Sequence, residues 1–376
     1  MKISLHCISV SALLLLLASC AKQGDTIKVG EYASLTGKDA SFGQSSHKGA
    51  VLAFEEVNAA GGVLGKKIEL LTEDNQTKAG ESATAAKKLI NRDKVIALLG
   101  EVASGRSLEV APIAQEVKIP MISPAATNPK VTETGDYVFR VCFIDPFQGT
   151  VMAKFALTDL KAKRVAIISS VSNAFSVGLA KFFHETYTQG GGTVVVEPKY
   201  TEGDKDFRAQ LTAVKAAGVD AVFLPGYYTE SALLIRQARD LGLTVPFLGG
   251  DGWESAKLIE IGGDALNGCY YSTHFSPQNK DANVTKFVEK FKKRWSNETP
   301  DAFAALGYDA ALVLADSIKR AGNTTGPALR DAIAATKGFA GATGITTINK
   351  ERNASKGATI IALKDGQFVF HKIVAP

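Results

Sequence analysis

Short apolar runs alternate with amphipathic stretches along almost the whole chain. Ile27-Lys28-Val29-Gly30, residues 67–72 and Val95-Ile96-Ala97-Leu98-Leu99 read as strands. The last is continuously apolar, the pattern of a strand buried on both faces. Between them the spacing predicts a loop over 35–43, a helix over 48–58 (apolar Val51, Leu52, Phe54 and Val57) and a helix over 79–91. A helix over 107–115, a strand cut short by Pro120 and Pro124, a strand over 137–142 and a helix over 147–160 follow. The rhythm then restarts, with strands over 164–169, 193–200, 221–224 and 246–248 and helices over 176–189, 207–217 and 230–241. Three helices (284–295, 303–320, 326–335) come next, and the tail returns to strands near 344–348, 359–363 and 368–373. Repeated β-α units predict an α/β fold with parallel sheets covered by helices on both faces. At 376 residues the chain suits two doubly wound parallel-sheet lobes. With no long linker between them, the expected joint is a multi-strand hinge.

Composition narrows the class. Hydrophobic residues at 45% and charged residues at 22% are those of a soluble globular protein. The net charge of +5 comes from scattered pairs such as Lys66-Lys67 and Lys292-Lys293, with no basic stripe, which argues against nucleic acid as a partner. Met1-Lys2, the apolar stretch 8–18 and Leu17-Ala18-Ser19-Cys20 have the organisation of a secretory leader, too short for a stable bilayer span. The ending resembles a bacterial lipobox. Residues 1–19 would then be removed, Cys20 would carry lipid and 20–26 would be a tether, placing the protein in the periplasm or at the cell surface. Cys7 leaves with such a leader, so Cys142 and Cys269 remain as an even pair in an oxidising compartment. A disulfide between them is one expectation and two buried thiols the other.

Enzyme signatures are missing from the sequence. Gly37-Lys38 is followed by Asp39 and Gly65-Lys66 by Lys67, so there is no phosphate loop; no nucleophile elbow or His-Glu-x-x-His occurs, and the five histidines show no metal spacing. No metal or cofactor is expected. A different chemistry gathers in loops at predicted strand ends, where α/β sheets bind ligands. Ser104 and Thr127, with the backbone around Ala125, offer neutral donors to a carboxylate without burying a countercharge. Asp251, among glycines, offers a carboxylate to an ammonium, and Tyr227 ends an equivalent strand. Each also has an ordinary reading: Ser104 or Ser107 as a helix cap, Thr127 and Asp251 as turn residues, Tyr227 as a surface aromatic. Taken together they describe a cleft for an α-amino acid.

Six stretches carry a resemblance across nearly all of the chain after the leader: Ser34-Leu35-Thr36-Gly37, Asn58-Ala59-Ala60-Gly61-Gly62-Val63, Ile122-Ser123-Pro124-Ala125-Ala126-Thr127, Gly203-Asp204-Lys205-Asp206-Phe207, Ile235-Arg236-Gln237-Ala238-Arg239 and Gly249-Gly250-Asp251-Gly252. In that order and spacing they resemble the leucine/isoleucine/valine-binding family of type I periplasmic binding proteins, the substrate-binding components of ABC importers. The resemblance implies that positions matching Ser104, Ala125 and Thr127 hold the amino acid's carboxylate. It places the ammonium at positions matching Asp251 and Tyr227, with Phe42 and Phe175 bordering the cleft and Trp253 adding bulk nearby. Asp251 stands where relatives often carry Glu, and Phe42 and Phe175 lack the hydroxyl of a tyrosine found in some.

The expected protein is therefore a monomeric binding lipoprotein, not an enzyme, that closes by hinge motion on a branched-chain amino acid and passes it to an ABC permease. The predicted lobes are 27–141 with 276–344, and 142–275 with 345–376. The hinge should include the segments around Cys142 and Cys269, which a disulfide would staple. Alternatives are an aromatic amino acid or an amide or urea as ligand, a sensory receptor built on the same lobes, and an extracytoplasmic enzyme on the same scaffold.

Overall fold

The structure is a computed structural model that describes residues 26–376. The predicted leader, Cys7 and Cys20 lie outside the described residues. The first sheet holds β1 (Ile27–Ala33), β2 (Ile68–Asp74), β3 (Ala97–Leu99), β4 (Met121–Ser123) and β5 (Val138–Arg140). Its order is β2-β1-β3-β4-β5, and every pairing is parallel. The connections run through α1 (Ala40–Ala59), α2 (Glu81–Asn91), α3 (Ser104–Val117) and the single turn α4 (Lys130–Glu133). Leu98 and Leu99 of β3 are buried on opposite faces, as the continuous apolar run requires.

The chain crosses into the second lobe after β5 and begins α5 (Asp145–Thr158). There follow β6 (Arg164–Ile167), β7 (Ser169–Ser170), α6 (Ala174–Gln189), β8 (Thr193–Val196), β9 (Lys199–Tyr200), α7 (Arg208–Ala217), β10 (Ala221–Phe223), α8 (Tyr228–Asp240), β11 (Phe247–Gly249), α9 (Ala256–Gly262) and β12 (Cys269–Thr273). It then returns to the first lobe as α10 (Ala282–Arg294), α11 (Ala302–Ala321) and α12 (Gly326–Ala334), adds the small hairpin β13 (Phe339–Gly341) and β14 (Gly344–Thr346), and crosses back for β15 (Ala358–Lys364) and β16 (Gln367–Val374). The second sheet is ordered β16-β15-β12-β11-β10-β6-β8. It is parallel from β12 to β8, and β15 and β16 close that edge antiparallel. The α/β architecture of two wound lobes with a multi-strand hinge is as expected. α11 anchors the returning segment by crossing α1 at backbone contact. A Cβ on Gly307 would lie 2.2 Å from the Ser46 carbonyl oxygen and one on Gly49 1.9 Å from that of Ala304, so this crossing requires glycine on both helices.

Three expectations need correction. Helix α1 begins at Ala40, not near 48, so Phe42 stands on its first turn. Ser41, Gln44 and Ser45 interrupt the apolar period there because they line a groove between the lobes. The segment 345–357 does not belong to the second lobe. β14 pairs with β13, the Arg352 guanidinium donates to the Thr132 carbonyl at 2.9 Å, and Asn353 accepts the Thr132 hydroxyl at 2.9 Å, all on the first-lobe side. The second sheet resumes only at Ala358. Finally, Cys142 and Cys269 are both free and buried. The Cys142 thiol faces the Ala126 carbonyl at 3.7 Å, beside the first crossing. Cys269 opens β12, next to Arg239 of α8 at 3.6 Å, and the crossing leaves the other end of that strand. At about 3.3 Å per residue, five strand residues set it well away from the hinge.

Candidate functional site

Two loops of the first lobe are held by buried charges. Glu101 follows β3 and is fully buried; its carboxylate accepts the N–H of Ser34 at 2.8 Å and of Ala103 at 2.7 Å. Its carbonyl accepts the hydroxyls of Ser107 at 3.0 Å and Ser123 at 2.8 Å, which stitches the loop after β3 to the one after β4. Burial pushes the Glu101 carboxyl above the ordinary carboxylate range, and the Ser34, Ala103 and Asn75 contacts offset part of that. Arg140, also fully buried, reaches under the second loop. Its guanidinium donates to the carbonyls of Ala126 and Asn128 and to the Thr132 hydroxyl. Neither residue's charge is solvated; each is spent on fixing backbone.

These loops present the sequence-predicted residues. Ser104 is the first residue of α3; the cap position belongs to Ala103, which makes no side-chain cap. The Ser104 hydroxyl instead accepts the N–H of Asn128 at 3.2 Å. Ala125 and Thr127 are buried in the loop after β4. Asn128 then crosses to the second lobe, its side-chain amide donating to the Ala174 carbonyl at 2.8 Å. The next residue, Phe175, stacks on Tyr227 at 5.6 Å, and Tyr227 meets the edge of Phe42 from the first lobe at 5.2 Å. Ser104, Asn128, Phe175, Tyr227 and Phe42 thus lie along one chain of contacts that passes from lobe to lobe and back, with Thr127 beside Asn128 in the loop.

Asp251 enters at the carboxyl end of β11, in the short 3-10 helix Asp251–Trp253. A Cβ on Gly252 would come within 2.9 Å of both Phe175 and Tyr227, so the glycine lets this loop lie against the aromatic pair. The Asp251 carboxylate is held at both oxygens: Oδ1 accepts the Gln148 amide at 2.9 Å and Oδ2 pairs with His274 Nε2 at 3.0 Å. Its remaining lone pairs suit an ammonium. Trp253 does not border this cleft. It is fully buried, packs on Gly249 and donates its indole N–H to the Leu224 carbonyl at 3.1 Å. An aromatic in a glycine-rich loop looked like a ligand contact, but the glycine at 249 makes room for it inside the second-lobe core.

The lobes are shut. The Tyr228 hydroxyl donates to the Lys38 carbonyl at 2.6 Å, Ser41 and Ser255 share a hydrogen bond at 2.7 Å, and Lys38 pairs with Glu202 at 2.7 Å. A groove of about 690 Å³ runs beside the closed site, past Lys38, Tyr228, Glu254, Phe275 and Asp301, and none of the predicted ligand residues lines it. The predicted ligand residues other than Trp253 lie away from this groove, by the contacts between the lobes. Sequence reasoning missed Asn128, Gln148 and His274. Gln148 had a signal: with Asp145 it puts two polar residues one turn apart at the start of a helix whose other buried positions are apolar or glycine. His274, alone in its segment, had none. Among the described residues no group of three or more His, Cys, Asp or Glu could hold a metal.

The comparisons agree with this fold. Residues 26–367 match the family model described as periplasmic binding protein. A Leu/Ile/Val-binding protein, BraC3, of Rhizobium johnstonii is 36% identical over 298 residues, 79% of this chain and 80% of that protein. The crystal structure of a leucine-binding protein, LivK, from Thermotoga maritima is 42% identical with a TM-score of 0.90, covering 93% of this chain and 99% of that one. The branched-chain amino acid transporter substrate-binding protein LivJ of Streptococcus pneumoniae, solved with isoleucine, is 33% identical with a TM-score of 0.89, covering 94% of this chain and all of its own, 100%.

Proposed function

Starting from a chain that belongs to the periplasmic binding protein family, we propose that it captures leucine, isoleucine or valine by closing its lobes and delivers the amino acid to an ABC importer. Extracytoplasmic solute binding is the activity of its relatives, and the observation that carries the ligand class is the division of chemistry across the cleft. Ser104 and Thr127 bring neutral donors from one lobe, and Asp251 and Tyr227 bring an acid and an aromatic from the other. An α-amino acid has the matching pair of charges. Neutral donors hold its carboxylate, and the Asp251 carboxylate takes its ammonium, which in a sealed site would otherwise be unpaired. Phe42 and Phe175 supply apolar walls for an aliphatic side chain.

The same reading assigns 27–141 with 276–357 to the carboxylate-binding lobe and the remainder of the described chain to the ammonium-binding lobe. It takes the protein as a monomer outside the cytoplasm, tethered by lipid on Cys20 and docking on a membrane permease. Palmitate labelling of the parent and of a Cys20→Ala chain tests the anchor; equal labelling would remove it.

Isothermal titration of the ligand-stripped protein against leucine, isoleucine, valine, alanine, phenylalanine and a short amide tests the function. Saturable binding of a branched aliphatic amino acid is expected. Binding of phenylalanine alone would reassign the side-chain pocket to an aromatic ligand, and binding of the amide alone would remove the ammonium role of Asp251.

A further inference from the structure

We propose that His274 is the positioning residue of the ammonium site, aiming the Asp251 carboxylate from the end of β12 and releasing its hold on the ligand when the imidazole gains a proton. This rests on the reading of Asp251 given above and adds to it the residue that controls that acid. His274 is the first residue beyond β12, on the second crossing between the lobes, and is buried. Its Nε2 lies 3.0 Å from Asp251 Oδ2, and its ring stacks on Phe143 of the first crossing at 3.8 Å and 27°. The opposite carboxylate oxygen is held by Gln148, one turn into the helix that the first crossing enters. The acid is therefore gripped by Gln148 of α5 and by His274 at the end of β12, where the first and second crossings pack together.

The charge state follows from the partners. His274 Nδ1 has no hydrogen-bond partner among the described residues, so the single proton of the neutral ring sits on Nε2 and is donated to Asp251. Asp251 then keeps its full negative charge for a ligand ammonium. Burial pulls the imidazole below its ordinary value, the contact with Asp251 pulls it back in part, and Lys356 on the third crossing adds to the downward push. The other ionisable neighbours are Asp145, which faces Asp251 from α5, and the buried Cys142 thiol of the first crossing; Lys356 is itself paired with Asp309 at 3.5 Å. His274 also lines a second cavity, of about 340 Å³, with Ser276, Thr343 and Lys356. A proton arriving on Nδ1 makes an imidazolium that neutralises Asp251 in place, and the ligand's ammonium loses its countercharge.

The test is leucine affinity by titration calorimetry from pH 7.5 to pH 5 in the parent, His274→Asn and His274→Leu, with thermal melts as a folding control. Asparagine can still donate to Asp251 but does not titrate; leucine does neither. The parent is expected to weaken toward acid by up to about tenfold per pH unit once the ring protonates, the one-proton limit. His274→Asn should match the parent within a few-fold at pH 7.5 and lose that acid limb, and His274→Leu should be weaker by about tenfold throughout. An acid limb unchanged in His274→Asn, or parental affinity in His274→Leu, overturns the proposal. Asp251→Asn separates the two levels: if it binds leucine as the parent does, the ammonium assignment itself has failed.

Discussion

Glu254, from the second lobe, accepts the backbone N–H of Ala302 at 3.0 Å and so closes the start of helix α11 in the first lobe. Its other oxygen accepts the Tyr271 hydroxyl at 2.8 Å. Asp301, the helix's own cap, already accepts the N–H of Ala304 at 2.9 Å, so two acids share one helix start. Burial, and then their mutual repulsion, holds the Glu254 carboxyl above its ordinary range. The second acid is tolerated because the helix terminus favours negative charge. Glu254 follows the Asp251–Trp253 turn directly, which couples lobe contact to the ammonium site.

Glu254→Ala should therefore favour the open form. Loss of one buried charged hydrogen bond, worth about 1–2 kcal/mol, predicts a leucine affinity lower by about 5- to 30-fold. Small-angle scattering at sub-saturating leucine should show a larger radius of gyration than the parent gives. Unchanged affinity and radius would make the contact incidental to closure.

Ser104 offers a second measurement. Its hydroxyl accepts the Asn128 N–H at 3.2 Å while its own proton is free for a ligand carboxylate. Ser104→Ala should weaken leucine binding by about tenfold, near 1.4 kcal/mol, with only a small fall in the melting temperature of the ligand-free protein. A stability loss with unaltered affinity would reduce Ser104 to a staple between loops.

The strand-helix rhythm was legible because buried parallel strands are short and continuously apolar, as in 95–99 and 165–168. The loops at strand ends were legible for the same reason, since a change of pattern marks where each strand stops. What escaped were residues whose role is tertiary. Glu101 and Arg140 carry charges that in sequence signify solvent, yet both are buried under the binding loops. His274 meets Asp251 only because β11 and β12 are neighbours in the second sheet. The polar face of 41–45 hid the start of α1 because it faces the other lobe, not water alone. Trp253 misled in the opposite sense, since loop position does not reveal which way a side chain turns.

The two described cysteines make a chemical prediction. Burial pushes the Cys142 thiol up to about 12 and that of Cys269 to about 11, so neither forms much thiolate near neutral pH. Iodoacetamide at pH 8 should leave the native protein unmodified at these two positions and label both after denaturation without reductant. Reductant should not change the melting temperature. A mass consistent with an internal disulfide, or a melting temperature lowered by reductant, would contradict the free-thiol arrangement.

Asp145 carries the clearest pH dependence of stability. It is the first residue of α5, fully buried, and neither carboxylate oxygen has a hydrogen-bond partner among the described residues. Burial pushes its carboxyl up to about 8; the Thr127 side chain offsets part of this, Asp251 adds to it and Arg140 draws it down. The folded pKa lies above the unfolded one, near 4. Between those values the folded chain holds a proton that the unfolded chain has lost, so stability falls as pH rises through that window, by at most about 1.4 kcal/mol per pH unit for one group. Above about 8 both states are ionised and the penalty levels off. Asp145→Asn mimics the protonated acid in shape and lacks its titration. Urea denaturation of ligand-free protein at pH 4.5, 6 and 8 should show the variant gaining on the parent at each step, with the largest advantage at pH 8. A difference that stays constant across the three values would mean that Asp145 is charged in the folded protein, and that Arg140 compensates it more fully than the geometry implies.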